Sequence, residues 1–202
     1  MEYVTVNLQN AKAEAKSRKL EDFCFKGMHG VIGAVMWDNG VALGKFPEHV
    51  VDSGMFVLQG KKIVELGSGC ELVGCIAALL GSEVIVTYLP DRLRLLRKNI
   101  EINMEHVSLH GSVTATELTW GDDLDPKLID PTPDFGNILS LNSFKSNVVY
   151  TEGEVVNLLE TLMQLSRPNT TIFLARELRN GKEYHSFLFS CGSPIYSILS
   201  SV

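Results

Sequence analysis

Glu65, Gly67, Ser68 and Gly69 stand between a short apolar run, Ile63-Val64, and a longer one, Leu72-Val73-Gly74-Cys75-Ile76-Ala77-Ala78-Leu79-Leu80. Two glycines at that spacing let the backbone turn tightly and approach a ligand closely. The longer run reads as a buried helix, and the first N–H groups of a helix lack partners within it and favour a polar or anionic group. A strand, a glycine turn and a helix in this order form a cradle of the kind that holds a nucleotide. Ordinary strand-to-helix turns also use glycine, so the turn alone selects no ligand. Two specific versions fail on the residues. A Gly-x-Gly-x-x-Gly dinucleotide turn requires glycine where Leu72 stands, and a phosphate loop requires Lys-Ser or Lys-Thr where Cys75-Ile76 follows Gly74.

Other residues able to do chemistry are less organised. Cys24, Cys70, Cys75 and Cys191 are scattered with no second close pair to complete a zinc site, and they read as reduced thiols. Cys70 falls at a helix start, where a thiolate is stabilised. A nucleophile there would need one of the five histidines as partner, and no sequence context marks one.

The elements that must hold the turn follow from the pattern around it. Glu83 to Tyr88 is a β-branched run too apolar for an edge, and it predicts a second buried parallel strand. Pro90 suits a first helical turn, and Leu89, Leu93, Leu96 and Ile100 predict a helix with Arg92, Arg94, Arg97 and Lys98 on its solvated side. Ser112 to Glu117 alternates as a third strand and ends in a turn, Leu118 to Asp123; residues 126–133 read as a loop. Phe135 to Tyr150 holds two short apolar pieces, Ile138-Leu139 and Val148-Val149. Thr151 and Glu154 make a capping-box pattern, opening a helix that buries Val155, Leu158, Leu159, Leu162 and Leu165, and Thr170 to Ala175 is another core strand. Met36, Leu43 and Phe46 share a helix face that Pro47 is expected to interrupt. Alternating strands and helices predict a doubly wound, mainly parallel α/β sheet. Its carboxyl edge would collect the glycine turn, Tyr88, the Trp120 turn and Asn147 to Tyr150.

With 202 residues the chain is long enough for one sizeable core. Residues 1–34 read as an irregular lead-in and 35–202 as a single domain. The 45% hydrophobic and 21% charged residues are those of a globular chain, and the net charge of -6 argues against a nucleic-acid partner. No apolar stretch is long enough to span a bilayer and the N-terminus lacks the apolar segment of a signal peptide, so no membrane partner is expected and the cytosol or nucleus is the expected location.

Met36-Trp37-Asp38, Val64-Glu65-Leu66-Gly67-Ser68-Gly69, Leu89-Pro90-Asp91, Leu118-Thr119-Trp120-Gly121 and Val148-Val149-Tyr150 occur in this order. In that order the chain resembles the seven-β-strand S-adenosylmethionine-dependent methyltransferases, and within them the methyltransferase-like protein-lysine methyltransferases. The resemblance runs from about Trp37 to Leu178. It implies a Rossmann-like class I methyltransferase fold, S-adenosyl-L-methionine as cofactor and a lysine of a protein as substrate, its neutral amine attacking the methyl in line. Catalysis would then be positioning and electrostatics. The resemblance also implies roles: Gly67 and Gly69 near the methionine part of the cofactor, Tyr88 at the ribose, Trp120 against the adenine, Trp37 and Tyr150 at the cofactor or substrate mouth, Asn147 and Tyr150 as catalytic positions at the substrate mouth, and Glu65 and Glu71 among the cofactor-binding residues. Each residue has a plain reading too, with the tryptophans as core aromatics, Tyr150 as a strand anchor and Glu65 as the polar end of a strand.

Three departures from the family pattern fall on the chemistry. Glu71 stands where the family has a third glycine, beside the expected cofactor carboxylate, although an acid also suits a first helical turn. Tyr88 replaces the acid that would accept from both ribose hydroxyls. Charged hydrogen bonds are worth about 1.5–3 kcal/mol each, so this change is expected to weaken the cofactor on the order of 10- to 100-fold. Asn147 replaces an acid before Val-Val-Tyr, and an amide cannot act as a base. Gly136 to Ser146 is longer than the family's segment, and beyond Asn180 the family's antiparallel hairpin is replaced by a short piece, Ile195 to Val202, expected to leave an incomplete C-terminal hairpin. Two functions fit these residues: a protein-lysine methyltransferase of impaired activity, or an inactive methyltransferase fold serving as a protein-interaction module.

Overall fold

The computed structural model describes residues 5–7, 47–68, 72–104, 111–140, 152–177 and 195–200. Ile63-Val64 and Val84-Ile85-Val86 are apolar on both faces, as strands covered by helices on both sides require. They form β2 (Lys62–Glu65) and β3 (Glu83–Tyr88). The remaining elements are β1 (Thr5–Asn7), α1 (Leu72–Leu79), a 3-10 turn (Pro90–Arg92), α2 (Leu93–Met104), β4 (Ser112–Glu117), α3 (Pro126–Ile129), β5 (Phe135–Ser140), α4 (Glu152–Leu165), β6 (Thr171–Glu177) and β7 (Ile195–Ser200). The strands make one sheet in the order β1-β7-β6-β5-β2-β3-β4, parallel at every pairing. The doubly wound, mainly parallel class expected from the sequence is the one the chain adopts.

Alternation along the strands divides the interior into two cores. Ile63, Val84, Val86 and Phe173 pack with Val73, Ala77 and Ala78 of α1 and with Leu93 and Leu96 of α2. Val64, Ile85 and Ile172 face the other way, onto Leu128 of α3 and Leu158, Leu162 and Leu165 of α4. Phe56 meets Phe173 edge-on at 5.5 Å between ring centroids, which closes the first core from the side of the helical residues 47–52.

The chain runs outward from β2 through β3 to β4, then returns to place β5 on the other flank of β2. Strand order therefore reverses between β2 and β5. Crossovers leave opposite faces there and open a crevice at the carboxyl ends of the strands.

Several local expectations differ from the structure. Residues 47–52 are helical with Pro47 as the first described residue, a position its fixed φ suits; the helix face of Met36, Leu43 and Phe46 that Pro47 is expected to interrupt lies outside the described residues. Three residues of the expected irregular lead-in, Thr5–Asn7, form edge strand β1. The 126–133 loop opens with α3, whose Asp125 side chain accepts from the Lys127 N–H while Pro126 supplies a ready φ. Leu89 is 48% exposed because the 3-10 turn at Pro90–Arg92 separates it from α2. Ile195–Ser200 forms one strand as expected, but it lies between β6 and β1 and is parallel to both, so among the described residues it is not an arm of the expected antiparallel hairpin.

Candidate functional site

The carboxyl end of β2 carries the glycine turn to the crevice. Gly67 has φ +63, a left-handed conformation that side chains strain, so glycine is required here for the bend itself. Ser68 fixes the turn to the end of β3. Its N–H donates to the Thr87 carbonyl at 3.0 Å, its hydroxyl accepts from the Thr87 N–H at 3.1 Å, and its own O–H has the Glu65 and Thr87 carbonyls within 3.3 Å. The Thr87 hydroxyl donates to the Glu65 carbonyl at 2.8 Å. The turn is thereby laced to the next strand rather than left as an open loop.

Glu65 lies beneath this lacing and is buried. Its carboxyl faces α1: a Cβ on Gly74 would come within 2.9 Å of Oε2, and the Gly74 N–H donates to the carboxyl. Among the described residues Oε2 has no hydrogen-bond partner. Desolvation pushes the Glu65 carboxyl up to about 8, against the opposing effect of the Gly74 hydrogen bond. The residue shapes the underside of the turn in a largely neutral form at pH 7.

Two aromatic residues complete the edge. Tyr88 ends β3 half-buried against the core of α1 and α2, and its carbonyl accepts from the Leu118 N–H at 2.9 Å. Trp120 follows β4 half-buried against the core of α3 and α4, and its Cζ2 is 3.5 Å from where a Cβ on Gly67 would stand. The fold thus brings Glu65, Gly67, Tyr88 and Trp120 to one sheet edge, with the two rings against opposite cores. Trp37, Gly69, Cys70, Glu71, Asn147 and Tyr150 lie outside the described residues, as does Thr151 of the expected capping box. Among the described residues no group of three or more His, Cys, Asp or Glu is arranged to hold a metal ion.

Residues 23–190 match the family described as lysine methyltransferase. The chain belongs to the lysine methyltransferase family. Protein N-lysine methyltransferase METTL21A of Danio rerio is 35% identical over 148 residues, covering 73% of this chain and 62% of that protein. The METTL21A of Mus musculus matches over the same shares, and EEF1A lysine methyltransferase 3 of Xenopus tropicalis is 34% identical over 149 residues, 73% of this chain and 59% of that protein. The chain therefore spans about three fifths of the length of these curated relatives.

Two further residues bear on the site although neither stands out in its motifs. Ser68 acts across 19 positions, and Thr161, buried in α4, accepts from the Gly121 N–H across 40. The one available signal was Thr161 itself, a β-branched hydroxyl residue among leucines on the buried face of a helix, where its side chain must find a partner.

Proposed function

We propose that this chain is a protein-lysine N-methyltransferase that takes S-adenosylmethionine at the carboxyl edge of its sheet. The observation that carries the reading is the meeting of the Trp120 ring with Gly67 at the reversal of strand order, in a member of the lysine methyltransferase family. A purine-ribose group needs an aromatic face, a hydroxyl and closely approachable backbone. Trp120, Tyr88 and Gly67 supply these at neighbouring strand ends, so the described residues fit the nucleoside half of the cofactor. The relatives named for N-lysine methylation support a lysine of a protein as substrate.

S-adenosylmethionine would supply an electrophilic methyl group. The chain's own part is to hold and orient. Gly67 would offer backbone without a side chain in the way, Tyr88 one neutral hydrogen bond at the ribose, and Trp120 a face for the adenine. Ser68 and Glu65 would keep the turn in shape from beneath. Because Tyr88 carries no charge, affinity is expected to be weaker than an acid at that position would give.

Calorimetric titration of the folded chain with S-adenosylmethionine and S-adenosylhomocysteine tests this. Binding in the micromolar range, weakened but still measurable on Trp120→Ala, is the expected result. Absence of binding by protein that circular dichroism shows to be folded would overturn the cofactor reading and leave the fold as an interaction module.

A further inference from the structure

Thr161 lies in the middle of α4, on the face that buries Leu158, Leu162 and Leu165, and none of it reaches solvent. Its O–H donates to the Asn157 carbonyl one turn earlier at 2.9 Å. That bond fixes the hydroxyl rotor and leaves lone pairs on Oγ1, onto which the Gly121 N–H donates at 2.9 Å. Gly121 is pressed onto the helix at the same place. Its φ is +91, and a Cβ there would come within 2.8 Å of Asn157 Cγ. One residue before it stands Trp120, whose indole reaches Gly67.

Core filling does not account for the hydroxyl. Valine would occupy the same space without burying a polar group. Nor does it serve a wholly buried residue, because Gly121 itself is exposed although its N–H points onto the helix. What the hydroxyl adds is a single seating of the turn on α4.

We propose that Thr161 is a positioning residue for Trp120: by holding the Gly121 N–H it sets where the indole stands against Gly67, and so tunes affinity for the nucleoside end of the cofactor. The ligand part of this proposal rests on the carboxyl edge being the cofactor site. The placement of Trp120 does not, and the two are measured separately.

Trp37→Phe leaves Trp120 as the sole tryptophan of the two in the chain. In that background, without ligand, Thr161→Val should shift Trp120 emission and raise its quenching by acrylamide, while Thr161→Ser, which keeps the acceptor, should do neither. In the otherwise unaltered chain, Thr161→Val should weaken S-adenosylhomocysteine about tenfold and Thr161→Ser less than about twofold. In a Trp120→Ala background, Thr161→Val should cause no further loss, as coupling through the indole requires. Unchanged Trp120 emission and quenching in folded Thr161→Val overturns the positioning role, whether or not the cofactor binds. Equal losses of affinity with and without Trp120 overturn the route through the indole. If the unaltered chain binds no S-adenosylhomocysteine, the cofactor reading fails while the emission readout still decides the placement of Trp120. Thr161→Ala, read in the same way, serves if Thr161→Val does not fold.

Discussion

Glu65 is a carboxyl that the fold keeps out of water, 3% exposed, with a contact from the Gly74 N–H and with Oε2 unpaired among the described residues. Burial disfavours its ionised form and raises it from an ordinary 4.5 to about 8. Between those values the folded chain holds a proton that the unfolded chain has released. The stability from this group is therefore fully present below about pH 4.5 and is lost as pH rises through about 8. Each pK unit is worth about 1.4 kcal/mol, so the swing across the window amounts to several kcal/mol. Glu65→Gln keeps a neutral side chain at every pH, whatever constant offset its amide adds. Urea unfolding from pH 5 to pH 9 should give a shallower fall in stability for the variant than for the parent chain. Parallel pH profiles for the two would show that Glu65 ionises freely in the folded protein.

At the scale of elements, α1 packs closely on the strands beneath it, and Gly74 sets the approach. A Cβ at this position would stand 2.4 Å from Val86 Cγ1 and 2.9 Å from Glu65 Oε2. Helix propensity alone favours Gly→Ala by about 1 kcal/mol. Val86 is wholly buried, and its short β-branched side chain cannot swing aside. Overpacking costs about 1–3 kcal/mol, and an approach of 2.4 Å falls in the upper part of that range, so after the propensity gain Gly74→Ala should lower the unfolding free energy by about 1–2 kcal/mol in urea titration. A stabilised variant would mean that α1 can lift from the sheet. The sequence made the strands on either side of α1 legible, because Ile63-Val64 and Val84-Ile85-Val86 are apolar runs bounded by turn residues. It made β5 hard to see. Phe135–Ser140 contains Gly136, Asn137 and Ser140, and it is a strand because β2 and β6 pair with it from both sides. Prolines at 126, 131 and 133 disguised α3, although Asp125-Pro126 is a usable helix start. The turn itself was readable from Gly67, yet Ser68 and Thr161 were not, since hydrogen bonds across 19 and 40 positions leave no local periodicity.

Across the whole molecule, the two edges of the sheet separate the proposed binding site from a stabilising tie. The carboxyl edge carries Gly67, Tyr88 and Trp120. At the start of β2, on the opposite edge, the buried Lys62 Nζ donates to the Lys127 carbonyl at 2.6 Å and the Pro131 carbonyl at 2.7 Å, which ties α3 and the chain beyond it under the sheet. Asp134 accepts from Lys61 Nζ at 2.9 Å and from the Lys62 N–H at 3.1 Å, fixing the entry to β5. Desolvation lowers the Lys62 ammonium from its ordinary range, partly offset by Glu83 and Asp130. Its two carbonyl partners are what make burial of that amine tolerable. Lys62→Met keeps the length and apolar stem but removes both donors and leaves two carbonyls to find water. The loss should be on the order of 2–4 kcal/mol of unfolding free energy, from charged hydrogen bonds worth about 1.5–3 kcal/mol each less the desolvation no longer required. Affinity of the still-folded variant for S-adenosylhomocysteine should stay within about twofold of the parent. Calorimetry well below the variant's melting temperature measures this directly. A large loss of affinity in folded Lys62→Met would mean that strain at the amino edge reaches the glycine turn through β2, so that the sheet does not insulate its two ends.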